Sequence, residues 1–122
     1  MKTKLKYLTR WYPISAISYI KQALKSELEK LKESKSKWKE SGDQFLMFIY
    51  ETYPPKTKYK VPKKADVIGQ PKEKLKKLFQ KAVIRYHPDK QDVKKFGMKW
   101  KVLSEEITKM LTNFYEVYKT EQ

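Results

Sequence analysis

Cysteine is absent from the 122 residues, which excludes disulfides, thiolate zinc sites, iron–sulfur ligation and a cysteine nucleophile together and leaves the redox compartment open. Histidine occurs once, at His87, so there is no His-rich metal constellation and no second imidazole to relay a proton. These two shortages remove most hydrolytic site types, and the chain is read as a non-enzyme without a cofactor or metal. Long apolar runs are also missing. The longest, Phe45 to Tyr50, stops at Glu51, far short of the roughly 18–20 residues of a spanning helix, and no membrane span is expected. Arginine is scarce, with only Arg10 and Arg85 among 29 basic residues, whereas base readout and bidentate phosphate clamping favour the planar guanidinium.

Lysine is what the chain has in excess. Its 29 bases and 14 acids give a formal net charge of +15, consistent with a solvated lysine coat or with an acidic partner such as nucleic acid, anionic lipid or an acidic protein face. No acid precedes Glu27, so residues 1–13, with Lys2, Lys4, Lys6 and Arg10, form a basic arm. The arm shares its lack of acids with organelle transit peptides. It is lysine-rich rather than arginine-rich, however, and has Trp11, Tyr12 and Pro13 in place of a small-residue cleavage site.

After Pro13, Ile17, Ile20, Leu24, Leu28 and Leu31 recur at steps of three and four, and Trp38 extends the stripe. The spacing predicts one long amphipathic helix over 14–42. Its apolar seam is narrow and must be covered, either by the rest of the chain or by a further protein subunit held through residues 14–41. Asp43 suits an N-cap for a short apolar helix over 43–53 that Pro54 and Pro55 stop. A strand is the competing assignment, because Phe, Ile and Tyr favour pleated surfaces. Residues 54–70 combine Pro54, Pro55, Pro62 and Gly69 with Lys56, Lys58, Lys60, Lys63 and Lys64, and read as a lysine-rich loop.

A helix over 71–87 opens with Pro71 and Glu73 and carries Leu75, Leu78, Phe79, Ala82, Val83 and Tyr86 as a core-facing stripe. Lys74, Lys77, Lys81 and Arg85 stack along the other side, widened by Lys72 and Lys76; neighbouring like charges repel, and an acidic partner would reverse that penalty. His87-Pro88-Asp89 follows. Proline disfavours helical backbone at His87, so the helix ends and the chain turns, holding Asp89 on a rigid loop where its carboxylate can accept charge-assisted hydrogen bonds from a partner's arginine. A plain helix stop and turn is the bland alternative, and the tripeptide alone arises by chance in about one chain in a hundred of this length. Trp100, Leu103, Ile107, Met110, Leu111, Phe114, Val117 and Tyr118 then mark a helix over 93–118, with Asp92 as N-cap and Gly97 as a weak point. Two such helices joined by a bend predict an all-α antiparallel hairpin with its connecting loop exposed at the tip.

The stretch Lys77 to Lys90, KLFQKAVIRYHPDK, resembles the second helix and loop of DnaJ-type J domains. Trp100, Leu103, Ile107 and Met110 keep the apolar spacing of that family's third helix, and Gln44 to Tyr53 would stand for its short first helix. Architecturally the resemblance spans residues 43–118, within a J-domain-like region of 43–122. It implies a co-chaperone that docks on a heat-shock protein 70 family (DnaK-type) ATPase and stimulates ATP hydrolysis in the partner. By that resemblance His87, Pro88 and Asp89 would be the activating motif, and Lys76, Lys77, Lys81, Arg85 and Lys90 would supply docking charge. These are contact residues and not catalysts. Phe79 stands where the family usually has tyrosine, Gln80 at a commonly basic site, and Glu106 where a small alanine is typical. No Gly/Phe-rich or zinc-binding substrate region lies in the sequence. The resemblance therefore suggests a divergent member tethered by its N-terminal helix, with Ile17, Ile20, Leu24, Leu28, Leu31 and Trp38 as the anchoring seam.

Trp38, Trp100, Phe114 and Tyr118 fit helix-face packing better than base stacking. Glu105 and Glu106 point in different directions on a helix and read as a solvated face rather than an acid–base pair. Two further readings stand beside the co-chaperone: a structural subunit that keeps J architecture inside a larger assembly, and lysine-driven nucleic-acid binding, the least favoured. The expected location is cytoplasmic, including ciliary or cytoskeletal scaffolds, with a mitochondrial matrix as the alternative.

Overall fold

The computed structural model describes residues 14–56 and 61–120, and every regular element among them is helical. The basic arm and the side chain of Ile17 lie outside the residues so described. Six α-helices follow in order: α1 (Ile14–Ala23), α2 (Lys25–Lys37), α3 (Gly42–Thr52), α4 (Lys72–Tyr86), α5 (Val93–Phe96) and α6 (Met98–Thr120). Single 3-10 turns occur at Lys64–Asp66 and Pro88–Lys90. No described helix is long and apolar enough to cross a membrane.

Helices α4 and α6 form the expected pair. The α4 stripe Leu75, Phe79, Ala82 and Tyr86 is buried, as its three- and four-residue spacing requires. At the midpoint of α4, the Phe79 ring lies 5.3 Å from Phe114 and 5.5 Å from Tyr118, late in α6. At the end of α4, Tyr86 lies 6.2 Å from Trp100, early in α6. Advancing along one helix thus retreats along the other, and the pair is antiparallel. Helix α3 closes a third side: Phe45 stacks on Phe114 at 4.9 Å and Tyr50 lies 6.0 Å from Tyr86. With Phe45, Leu46, Met47, Ile49 and Tyr50 all buried, α3 is covered nearly all round. That coverage accounts for its unbroken apolar run, and the strand alternative falls away.

The N-terminal segment departs from the single 14–42 helix. It is interrupted at Leu24 (φ −96, ψ 9), whose N–H is shared between the carbonyls of Ile20 at 3.0 Å and Lys21 at 3.2 Å. Leu28 still donates to Leu24, at 2.9 Å, so the ladder tightens locally without breaking. Helix α2 then ends at Lys37, and Gly42 opens α3 instead of closing the preceding helix. A Cβ at Gly42 would overlap the Tyr118 hydroxyl and stand 3.0 Å from Cζ, so glycine lets the tyrosine ring seal this corner.

The apolar seam is closed by the chain itself. Leu24 and Leu31 are buried in the same core as Phe45, Phe79 and Ile107, and Ile20, Leu28 and Trp38 pack against it. Of the two coverings the sequence leaves open for this seam, the rest of the chain supplies the one seen here. The covering element is α6, which touches each of the other five helices. Val102 and Glu105 lie roughly opposite Ile107 on the helix and are buried as well. Glu105 is thus not on a solvated face, whereas Glu106 is half-buried.

Asp43 is not the N-cap of α3. Its carboxylate accepts from Gln44 N–H and from Gly69 N–H, both at 2.8 Å, which clips the 61–70 loop to α3. Val67 of that loop is fully buried. Asp92 does act as an N-cap, accepting from Lys94 N–H at 2.9 Å, but of the one-turn α5. Gly97, at φ +88, separates α5 from α6, so the span 93–118 is two helices, the second running on to Thr120.

Candidate functional site

The backbone of α4 stops at His87 (φ −54, ψ 131) because Pro88 forbids helical geometry before it. Pro88 is buried and begins a 3-10 turn, closed by Lys90 N–H to His87 carbonyl at 2.9 Å and Gln91 N–H to Pro88 carbonyl at 3.1 Å. His87 Nδ1 accepts from Asp89 N–H at 3.2 Å, which requires a lone pair on Nδ1. The same nitrogen lies 3.8 Å from Asp89 Oδ2, with side-chain exposures of 38% for His87 and 63% for Asp89. The carboxylate is therefore held at the apex of the turn and faces water.

Gln91 fixes the base of this turn. It is only 5% exposed, and its Nε2 donates to the carbonyls of Arg85 and His87, each at 3.0 Å. These two carbonyls belong to the end of α4, where helix geometry leaves acceptors without intrahelical donors. Its Oε1 accepts from the Trp100 indole N–H at 2.7 Å, so one side chain joins the end of α4 to the start of α6. The Lys56 ammonium sits 5.2 Å from the Trp100 ring centroid and draws the segment just after α3 to the same point.

The predicted docking cations divide. Lys77, Lys81 and Lys90 are exposed, whereas Lys76 and Arg85 are half-buried. Arg85 Nη1 donates to the Tyr50 hydroxyl at 3.0 Å, with the guanidinium 5.9 Å from that ring. Arg85 thus leaves the exposed lysine ridge to brace α4 against α3. Its place along the ridge is taken by Ile84, one turn beyond Lys81 and two beyond Lys77 and 49% exposed. A shallow groove of about 300 Å³ runs between Val83, Ile84, His87, Asp89 and Lys90.

Sequence reading missed Gln91 and Ile84. Ile84 carried a signal, being a large apolar residue off the Leu75–Tyr86 stripe. Gln91 carried none, since its role depends on Trp100.

Three phenols hold the structure behind the turn. Tyr86 donates to the Tyr53 carbonyl at 2.6 Å, and burial, reinforced by Tyr50, pushes its ionisation well above the ordinary phenol range. Tyr53 donates to Glu27 Oε2 at 2.8 Å, tying α2 to the end of α3. Burial and then the hydrogen bond to that carboxylate raise it as well. Tyr50 is raised by burial against the opposing pull of Arg85. Among the described residues no group of three His, Cys, Asp or Glu side chains forms a metal ligand set. No protein-family model, curated protein or solved structure matches the chain.

Proposed function

We propose that the protein is a J-domain co-chaperone that docks on a DnaK-type ATPase and stimulates its ATP hydrolysis through His87-Pro88-Asp89. One observation carries the reading: a carboxylate 63% exposed at the apex joining two antiparallel helices, on a turn whose proline and glutamine are both buried. A turn fixed in this way loses little further backbone freedom on binding, and the carboxylate it presents can accept a directional, charge-assisted hydrogen bond from a partner's arginine. Lys77, Lys81 and Lys90 steer an acidic surface toward the apex, and Ile84 supplies an apolar contact beside it. Hydrolysis occurs in the partner, and this chain biases the partner toward its hydrolytic state.

The test is single-turnover ATP hydrolysis by a DnaK-type chaperone, comparing the native chain with Asp89→Asn. The native protein should accelerate turnover and Asp89→Asn should not, while both give the same circular dichroism spectrum and melting temperature. Equal stimulation by both, or none by either, rejects the co-chaperone function.

A further inference from the structure

At the end of the α4/α6 pair away from His87-Pro88-Asp89 there is a second concavity, of about 300 Å³. Its floor is apolar, formed by Phe114 and Tyr118 with Val117 beside them, and Val117 is 51% exposed. Its rim is cationic: Lys35 from α2, Lys39 from the turn that follows, and Lys72 from the start of α4, against the single carboxylate of Glu40. This volume is at the lower end for ligand sites, enough for one or two side chains rather than a cofactor.

We propose that this groove is a docking site for an acidic peptide segment of a partner protein, one large apolar side chain covering Val117 and flanking carboxylates meeting Lys35 and Lys39. Charge complementarity selects an anionic occupant. The floor selects a peptide over nucleic acid. The Phe114 and Tyr118 rings are packed on Phe79 and only 7% and 9% exposed, which leaves little ring surface on which a base could stack, and the exposed apolar group is an aliphatic valine. Glu40 and the exposed Asn113 offer an acceptor and an amide to a peptide main chain, which has both donors and acceptors to match. The proposal does not rest on the co-chaperone reading, because the groove and the apex share no residue.

The test is titration of the full chain, followed by amide and methyl chemical shifts, with a short synthetic peptide of Asp and Glu around a central Phe. Three probes serve for comparison: the same peptide with Gly for Phe, a single-stranded oligonucleotide, and phosphatidylserine vesicles. Shifts should centre on Val117. Val117→Asp should abolish saturation, and the Lys35→Glu/Lys39→Glu pair should weaken binding by roughly tenfold and flatten its salt dependence. Asp89→Asn should bind the peptide as the native chain does, separating this site from the apex. Val117 and Lys39 are exposed and Lys35 is half-buried, and melting curves will verify that the variants fold. The proposal is overturned if the Phe and Gly peptides bind equally, if Val117→Asp binds like the native chain, or if only the oligonucleotide or the vesicles saturate the groove.

Discussion

Gln91→Ala should lower the melting temperature by roughly 12 °C, and the reasoning can be followed bond by bond. The two carbonyls that Gln91 caps, of Arg85 and His87, lie at the end of a helix where water can replace the lost amide. Each therefore costs only the net value of a hydrogen bond, about 0.5–1 kcal/mol. The Trp100 indole N–H is different: its bond to Gln91 is buried, and removing the acceptor leaves a desolvated donor at a cost of about 1–3 kcal/mol. Together these give about 3 kcal/mol, and a domain of this size shifts by about 4 °C per kcal/mol. Gln91→Glu separates the two contributions. It keeps an acceptor for Trp100 but sets a carboxylate against two carbonyl oxygens, so near pH 7 it should be at least as unstable as the alanine variant. As pH falls toward about 4 the carboxyl regains a proton, one donor returns, and the gap to the native protein should narrow. Thermal unfolding followed by circular dichroism and tryptophan emission reads both effects. A shift below about 3 °C for Gln91→Ala, or a Gln91→Glu gap that does not change with pH, would refute the fastening described here.

Gly42→Ala should destabilise by about 1–3 kcal/mol in urea titrations, the range for overpacking. Adding Tyr118→Phe removes the overlapping oxygen and should recover part of the loss, whereas no recovery would place the strain elsewhere. Tyr86 is protonated in the fold well beyond its ordinary value of 10.0, so the unfolded chain releases this proton first as pH rises. Its contribution to stability is complete below about pH 10 and falls above it by about 1.4 kcal/mol per pH unit. Tyr86→Phe should lose about 1 kcal/mol near neutrality with the bond to Tyr53, yet show a shallower decline between about pH 10 and 11; parallel declines would contradict the assignment. Ile84→Ser should alter stability by less than about 0.5 kcal/mol while weakening chaperone docking by roughly tenfold. Unchanged stimulation would remove Ile84 from the docking surface.

The stripes on α4 and α6 were legible because the faces these two helices turn to each other are buried, and an apolar period of three and four is the direct imprint of such burial. The turn at His87-Pro88-Asp89 was legible because proline acts on its own neighbour without help from distant residues. What escaped notice depends on the rest of the chain. Whether the Ile20–Trp38 seam faced its own chain or another could not be read, because the far flank of α6 includes Ser104 and Glu105 beside Val102, and polar letters hid a buried surface. Arg85 looked like one more cation on a ridge until Tyr50, 35 residues away in sequence, was found to hold it. Gly97 was visible as a weakness in a helix. Its positive φ made it a boundary.

Because α1 and α2 lie on α6, the helical pair cannot be lifted out as a portable module. A fragment cut to begin at Gly42 would strip away Leu24 and Leu31 and take Glu27 from Tyr53, baring greasy surface along its middle rod. Chaperones bind such surface as cargo. In a hydrolysis assay the trimmed piece would then mimic a misfolded client, and any acceleration it produced would report damage instead of activation.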